Sequence, residues 1–281
     1  MEHVTVKDLV LGSGGVLVSG SEEAPVSHIR LDSRQVEPGD LFVPLLGERV
    51  DSHRFLPQVM DQGAAAVLTS QELTLPEGGA GCAVIRVEDT KKALQKIGSY
   101  LRDRLTLPLV GVTGSVGKTT TREMIAAALS ARFRVYKTPG NSNSQVGVPV
   151  TLSEITENDQ VGVIELGMSE PGEMTVIANI ARVDMAVITN IGDAHIENLG
   201  SRAGILQAKK EIFHRMTPEG MAVLNGDDAM LRPLEGELSP QVVFCGADRP
   251  APYAAKEIRQ LGSKGLRCRV ITPKNDFSVT V

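Results

Sequence analysis

Gly111-Val112-Thr113-Gly114-Ser115-Val116-Gly117-Lys118-Thr119-Thr120 is the stretch on which the reading of this chain turns. An apolar strand at 109–112 leads into it, and a helical pattern over 118–132 leads out. Glycines let the backbone fold tightly enough for its N–H groups to face a polyphosphate, and the start of the following helix adds favourable partial charge. Gly114, Ser115, Gly117, Lys118, Thr119 and Thr120 are therefore candidate phosphate-binding residues. Lys118 would reach the outer phosphates of a nucleotide, and the Thr119 hydroxyl would hold Mg²⁺. The general pattern has glycine where this chain has Val112, but Gly114 and Gly117 remain beside Lys118 and Thr119. The competing reading is a Gly-rich turn with an incidental lysine. The strand–loop–helix context argues against it.

On the C-terminal side, apolar strands at 161–166, 185–189 and 221–224 alternate with helical patterns at 173–180 and 202–215. That alternation predicts an α/β fold of P-loop type, a mostly parallel sheet with helices on both faces. The end of the chain departs from it. Leu266, Cys268 and Val270 alternate inward, Pro273-Lys274-Asn275-Asp276 is a turn, and Phe277, Val279 and Val281 alternate again, which predicts a hairpin. On the N-terminal side a smaller α/β unit is expected. Residues 26–31 and 41–45 are strand-like around the turn Glu37-Pro38-Gly39-Asp40, and 55–60 reads as a short helix. Apolar runs follow at 64–68 and 83–87, then an amphipathic helix over 89–104 with Leu94, Ile97, Leu101 and Leu105 on one stripe. The expected boundary falls in Leu105-Thr106-Leu107-Pro108, giving domains at 1–106 and 107–281.

Composition removes several function classes. Of 281 residues, 42% are hydrophobic and 22% charged, so a buried core is expected rather than disorder. The net charge is −5, with three Tyr, six Phe and no Trp. A nucleic-acid groove would want a basic stripe and stacking platforms, and neither is visible, so no nucleic-acid partner is expected. No apolar run approaches a membrane span and the start lacks a signal-peptide pattern, so no membrane insertion is expected. Cys82, Cys245 and Cys268 are odd in number and far apart, which fits neither a disulfide framework nor a zinc pattern. A reduced, cytoplasmic monomer is the expectation.

A phosphate loop usually works with an acid at the end of a neighbouring strand, which holds the metal. Glu165 closes the run Val161-Gly162-Val163-Ile164-Glu165, where an unpaired charge would be costly. An edge-strand carboxylate facing water is the bland alternative. His195 follows the strand ending at Thr189, in the kind of loop where α/β ligand sites form. Taken alone, a loop histidine is more often a surface residue than a ligand. Lys209 and Lys210 lie on a helix, where most lysines are solvated. Spacing promotes none of the three.

Several segments occur in a telling order: Asp32-Ser33-Arg34 before Pro38-Gly39-Asp40-Leu41-Phe42; the phosphate loop through Thr121; Thr138-Pro139-Gly140-Asn141-Ser142-Asn143 with Gly147-Val148-Pro149; Glu165-Leu166-Gly167-Met168 with Gly172-Glu173; Thr189-Asn190-Ile191-Gly192; Ala194-His195; and Ala208-Lys209-Lys210-Glu211-Ile212. Together they resemble the Mur ligases across almost the whole chain. The resemblance implies an ATP-dependent, ADP-forming amide ligase of peptidoglycan precursor synthesis, working through an acyl phosphate. The Gly140–Asn143 loop and the Glu165–Glu173 segment favour the branch that adds D-alanyl-D-alanine to a UDP-N-acetylmuramoyl-tripeptide over the diaminopimelate- or lysine-adding branch.

Roles follow from the resemblance residue by residue. Lys118 and Thr119 would handle ATP phosphates and a first Mg²⁺, with Glu165 as a further metal ligand. His195 would bind a second Mg²⁺ with Lys209, which matches a lysine that the family carbamylates with CO₂. Lys118, His195 and Lys209 are thus the expected catalytic set. Ser33 and Arg34 would lie near the uridine nucleotide, and Asn141 and Asn143 near the substrate and its reacting end. Ser52 departs from the family, which has glycine in the Asp51-x-His53 turn. The family's third, C-terminal domain and its adenine-contacting stretch are also absent from the 281 residues, so a non-ligating fragment is expected. Two alternatives remain at this stage. One is a nucleotide-binding scaffold or sensor without catalysis; the other is a further amino-acid-adding ligase of the same plan, such as one acting on folates.

Overall fold

The structure, a computed structural model, describes residues 1–47, 50–73 and 81–281. Two units divide the chain: Met1–Leu107 with Leu129–Gly162 and Asn179–Ala181 form the first, and Pro108–Ala128, Val163–Ala178 and Arg182–Val281 form the second.

The first unit begins with α1 (Val6–Ser13), β1 (Val16–Ser19), β2 (Ile29–Arg30), β3 (Leu41–Phe42), α2 (Leu56–Asp61), β4 (Ala66–Thr69), β5 (Ala83–Arg86) and α3 (Thr90–Arg104). Its sheet runs β1-β5-β4-β3-β2, with β2 to β5 parallel and β1 antiparallel to β5. Apolar runs become strands buried on both faces because successive side chains point to opposite sides. Leu41, Val43, Ala66, Leu68, Ala83 and Ile85 join one core with Leu94 and Ile97 of α3. Phe42, Val67 and Val84, the residues between them, enter a second core with Leu56 and Val59 of α2. Helix α3 is close to its expected span, and Asp89 caps it by accepting from the Lys92 N–H.

The next elements are β6 (Leu109–Thr113), α4 (Lys118–Ser130), β7 (Val135–Lys137), α5 (Gly147–Ser153), β8 (Val161–Glu165), α6 (Glu173–Ala181) and β9 (Met185–Ile188). They are followed by α7 (Ile196–Leu199), α8 (Arg202–Lys210), β10 (Met221–Asn225), β11 (Gln241–Gly246), β12 (Tyr253–Gln260), β13 (Leu266–Ile271) and β14 (Asp276–Thr280). Of these, β7 and α5 fall in the first unit. The strands of the second unit follow the order β14-β13-β12-β11-β10-β9-β6-β8. Pairs β6/β9, β9/β10, β10/β11 and β11/β12 are parallel. Strands β12, β13 and β14 are antiparallel, so the expected hairpin is the end of a three-stranded extension of the main sheet.

The structure differs from the expected elements in several places. The strand expected at 26–31 is only Ile29–Arg30, and the one at 41–45 only Leu41–Phe42; Val26 and Val43 are buried outside those short ladders. The helix expected over 202–215 is α-helical to Lys210 and tightens into a 3₁₀ turn over Glu211–Arg215. Helices α1, α5 and α7 and strands β1, β7, β11 and β12 lie outside the expected elements. Helix α1 carries a legible signal, the capping pair Thr5 and Asp8, whose carboxylate accepts the Thr5 N–H. Helix α5 holds Pro149 in its first turn, where the missing N–H removes no intrahelical bond. At the hairpin, Cys268 is buried but Phe277 is exposed, so the inward alternation holds on β13 and fails for Phe277 on β14.

Candidate active site

Strands β10, β9, β6 and β8 are consecutive in the sheet, so the segments following them gather at one edge. After β6 comes the phosphate loop. Helix α4 starts at Lys118, and its first intrahelical bond runs from the Thr121 N–H to the Gly117 carbonyl. The N–H groups of Lys118, Thr119 and Thr120 therefore lie in the first turn, which has no carbonyl of its own helix to bond. Those are the donors a phosphate would meet.

Other loop groups are already engaged, which refines the expected roles. The Ser115 N–H donates to the Asn190 carbonyl at 3.0 Å, and the Ser115 hydroxyl accepts the Gly192 N–H at 2.8 Å. The Val116 N–H donates to Asn190 Oδ1 at 3.1 Å, while Asn190 Nδ2 and the Thr189 hydroxyl both donate to the Val116 carbonyl. Ser115 thus braces the loop with its backbone and offers a phosphate only its hydroxyl proton. Gly114 is required by this brace. It has φ +148°, and a Cβ there would lie 1.9 Å from Thr189 Oγ1. Lys118 Nζ donates to the Gly114 carbonyl at 3.0 Å, folded back onto its own loop.

Glu165 ends β8 and is 2% exposed. Thr119 Oγ1 donates to Glu165 Oε2 at 2.8 Å. Mg²⁺ prefers octahedral oxygen ligands at about 2.0–2.1 Å, which sets neighbouring ligands roughly 2.9 Å apart. Thr119 and Glu165 hold two oxygens at that spacing, so the pair fits the cation the phosphate loop implies. Arg122, one turn along α4 from Thr119, is also buried; its Nη1 lies 3.4 Å from Glu165 Oε2 and its Nη2 donates to Glu123 at 2.7 Å. Sequence reasoning passed over Arg122, although its place three residues after Thr119 sets both on one helix face.

Lys209 corrects the solvated reading of a helical lysine. It is 2% exposed and ranks with Phe42 among the largest fully buried side chains. Burial, and then the charge of Lys118, push its amine down from 10.5 to about 8. Lys210, the next residue, takes the ordinary course and pairs with Glu237 at 2.6 Å. His195 precedes α7 with φ +65°, a left-handed conformation uncommon outside glycine. It ends the 189–195 loop that braces the phosphate loop. Among the described residues no three His, Cys, Asp or Glu side chains gather into a metal-binding group. Beside the phosphate loop, the Thr119 and Glu165 oxygens are the pair already held at a spacing a cation could share.

The remaining candidates belong to the first unit. Ser33 is buried in a 3₁₀ turn capped by Asp32. Arg34 is 84% exposed and forms a two-point ion pair with Asp32, Nε to Oδ1 at 2.9 Å and Nη2 to Oδ2 at 2.6 Å. That pair holds the Asp32 carboxyl down at about 2. Asn141 is exposed and Asn143 half-buried, in a loop where the Asn143 N–H donates to the Asn141 carbonyl. Cys82, Cys245 and Cys268 are free thiols. No helix among the described residues is long and apolar enough to cross a membrane.

Comparison with known proteins gives this arrangement a family. Residues 112–281 match the family described as Mur ligase middle domain, and residues 25–101 match the Mur ligase family, catalytic domain. The UDP-N-acetylmuramoyl-tripeptide–D-alanyl-D-alanine ligase of Bacillus subtilis (strain 168) is 42% identical over 278 residues, 99% of this chain and 60% of that protein. The protein of the same name from Synechocystis is 44% identical over 212 residues, 75% of this chain and 46% of its own length. Among solved structures, MurF from Acinetobacter baumannii superposes with a TM-score of 0.88 at 32% identity, covering 99% of this chain and 60% of that one. MurF from Thermotoga maritima in complex with ADP gives 0.80 at 29% identity, covering 91% and 58%. The chain thus spans about 60% or less of the length of these relatives. With the middle-domain match spanning both the loop residues Gly114–Thr120 and Glu165, the chain belongs to the Mur ligase family.

Proposed function

We propose that the chain serves an ATP-dependent, ADP-forming amide ligase that joins D-alanyl-D-alanine to a UDP-N-acetylmuramoyl-tripeptide in peptidoglycan precursor synthesis. The observation that carries this reading is the meeting of Thr119, Glu165 and the phosphate loop in one unit that also buries Lys209. Names of the relatives supply the substrates; the local chemistry supplies the reaction type.

In such a reaction a carboxylate oxygen of the tripeptide attacks the γ-phosphorus of ATP and the bond to ADP breaks. The D-alanyl-D-alanine amine then attacks the acyl carbon, and phosphate leaves as the amine loses a proton. Both partners in the first step are anions, so the site must supply positive charge where they meet. Lys118 leaves the Gly114 carbonyl to meet the outer phosphates, and the first-turn N–H groups of α4 receive the phosphate oxygens. Thr119 and Glu165 would hold Mg²⁺, which when bound offsets phosphate charge. Lys209, with its amine held down to about 8, presents a neutral form near neutral pH far more often than a surface lysine. A neutral amine is the form that captures CO₂, losing a proton to become a carbamate, and we assign that carbamate together with His195 to a second cation. Ser33 and Arg34 are assigned to the uridine end of the precursor, and Asn141 and Asn143 to its reacting end.

Calorimetry with ADP and Mg²⁺ tests the reading. The chain is expected to bind, and Lys118→Ala is expected to lose binding while its melting curve stays in place. Equal affinity in the two proteins would remove the phosphate-loop assignment.

A further inference from the structure

The turn after β10, Asn225-Gly226-Asp227-Asp228, has no place in the reading above, yet it grips the loop that grips the phosphate loop. Asp228 Oδ2 accepts the Ile191 N–H at 2.7 Å, and Asn225 Nδ2 donates to the Thr189 carbonyl at 2.9 Å. Between these two anchors lies Asn190, whose side chain and carbonyl hold Ser115 and Val116. Just beyond them Gly192 donates to Ser115 Oγ. Next along, Asp193 is clamped by Arg202 through two bonds of 2.6 and 2.8 Å. Residues 189 to 193 are therefore each tied on one side or the other, and His195 lies two residues further on.

The turn is itself rigidly held. Asp228 Oδ1 accepts the Met230 N–H at 2.8 Å, and Asn225 Oδ1 accepts the Asp227 N–H at 2.9 Å. The Asp227 carboxylate accepts the N–H groups of Ala247, Asp248 and Arg249, fastening the turn to the segment after β11. We propose that Asp228, assisted by Asn225, is a positioning residue of the nucleotide site, acting through the 189–195 loop on Ser115 and Val116. This deepens the ligase reading and rests on it for the identity of the nucleotide. Positioning matters here because a phosphate cradle works through N–H groups fixed before the ligand arrives, so slack in the loop appears as lost affinity.

The test uses two readouts on the full chain, far below its melting temperature. Hydrogen exchange at Ser115 and Val116 is expected to quicken about tenfold in Asp228→Ala, the loss of one charge-assisted backbone bond. Affinity for ADP with Mg²⁺ is expected to fall about tenfold, while Asp228→Asn, which keeps an acceptor oxygen, stays within about threefold of wild type. Asn225→Ala is expected to shift both readouts in the same direction, and serves if Asp228→Ala does not fold. A merely structural role lowers the melting temperature but leaves exchange at Ser115 and Val116, and the affinity of the folded protein, unchanged; that result overturns the proposal. Quickened exchange in a chain that binds no nucleotide would uphold the brace and count against the ligase reading instead.

Discussion

Replacing Lys209 with methionine isolates the cost of burying a cation beside Lys118. The amine is held at about 8 against an ordinary 10.5, which corresponds to about 3 kcal/mol withheld from the folded state whenever Lys209 is charged. The folded chain binds this proton less tightly than the unfolded chain does. The penalty is therefore complete below about pH 8, shrinks as pH rises from there toward 10.5, and is gone above it. Methionine keeps most of the buried stem and removes the charge, so little packing is lost. In CO₂-free buffer, Lys209→Met is expected to be more stable than wild type at pH 7 by up to about 3 kcal/mol. At pH 10 the gap should fall below about 1 kcal/mol. Urea melts of both proteins at the two pH values measure it directly. A less stable variant at pH 7, or a gap unchanged between pH 7 and pH 10, would refute the reasoning. Bicarbonate near pH 8 adds a second arm: it should stabilise wild type and leave the variant alone if the neutral amine captures CO₂. A function bought with stability is common where a site needs a buried charge.

Gly114→Ala puts a Cβ into the Thr189 hydroxyl at a left-handed φ, so thermal melts should show a loss of several degrees and ADP binding should vanish; wild-type binding in this variant would mean the loop tolerates another shape. Arg34→Ala should leave the melting curve where it is, because the Asp32 pair is open to water, yet weaken binding of a UDP-muramoyl peptide in calorimetry. An unchanged affinity would leave the guanidinium as nothing more than a partner of Asp32. Residues 1–281, assayed alone with ATP, Mg²⁺, UDP-muramoyl-tripeptide and D-alanyl-D-alanine, are expected to release no ADP above background. Steady release requiring both peptide substrates would show that these residues suffice for ligation.

The phosphate loop was legible from its residues alone, because glycines, a lysine and a helix start at fixed spacing leave little else for that backbone to do. Both cores of the first unit were legible for a similar reason: runs such as 64–68 and 83–87 must alternate faces once they are strands, and every residue in them except the exposed Arg86 is apolar. Local pattern failed where contacts are remote. Nothing in Ala208-Lys209-Lys210 says which lysine turns inward, since adjacent residues of a helix point about 100° apart and the stripe facing the core is fixed by what packs there. The structure answers with Lys209 buried and Lys210 paired to Glu237. Nor could spacing join Asp228 to Ile191 or Asn190 to Val116, bonds that span 37 and 74 residues. Parallel strands β10, β9 and β6 bring those segments to one edge, and only strand order decides which loops become neighbours. Sequence determined the groups able to meet a phosphate, because that chemistry is local. Tertiary structure decided which lysine loses its water and which loops hold the cradle, because desolvation and long-range hydrogen bonds depend on neighbours the chain supplies from elsewhere.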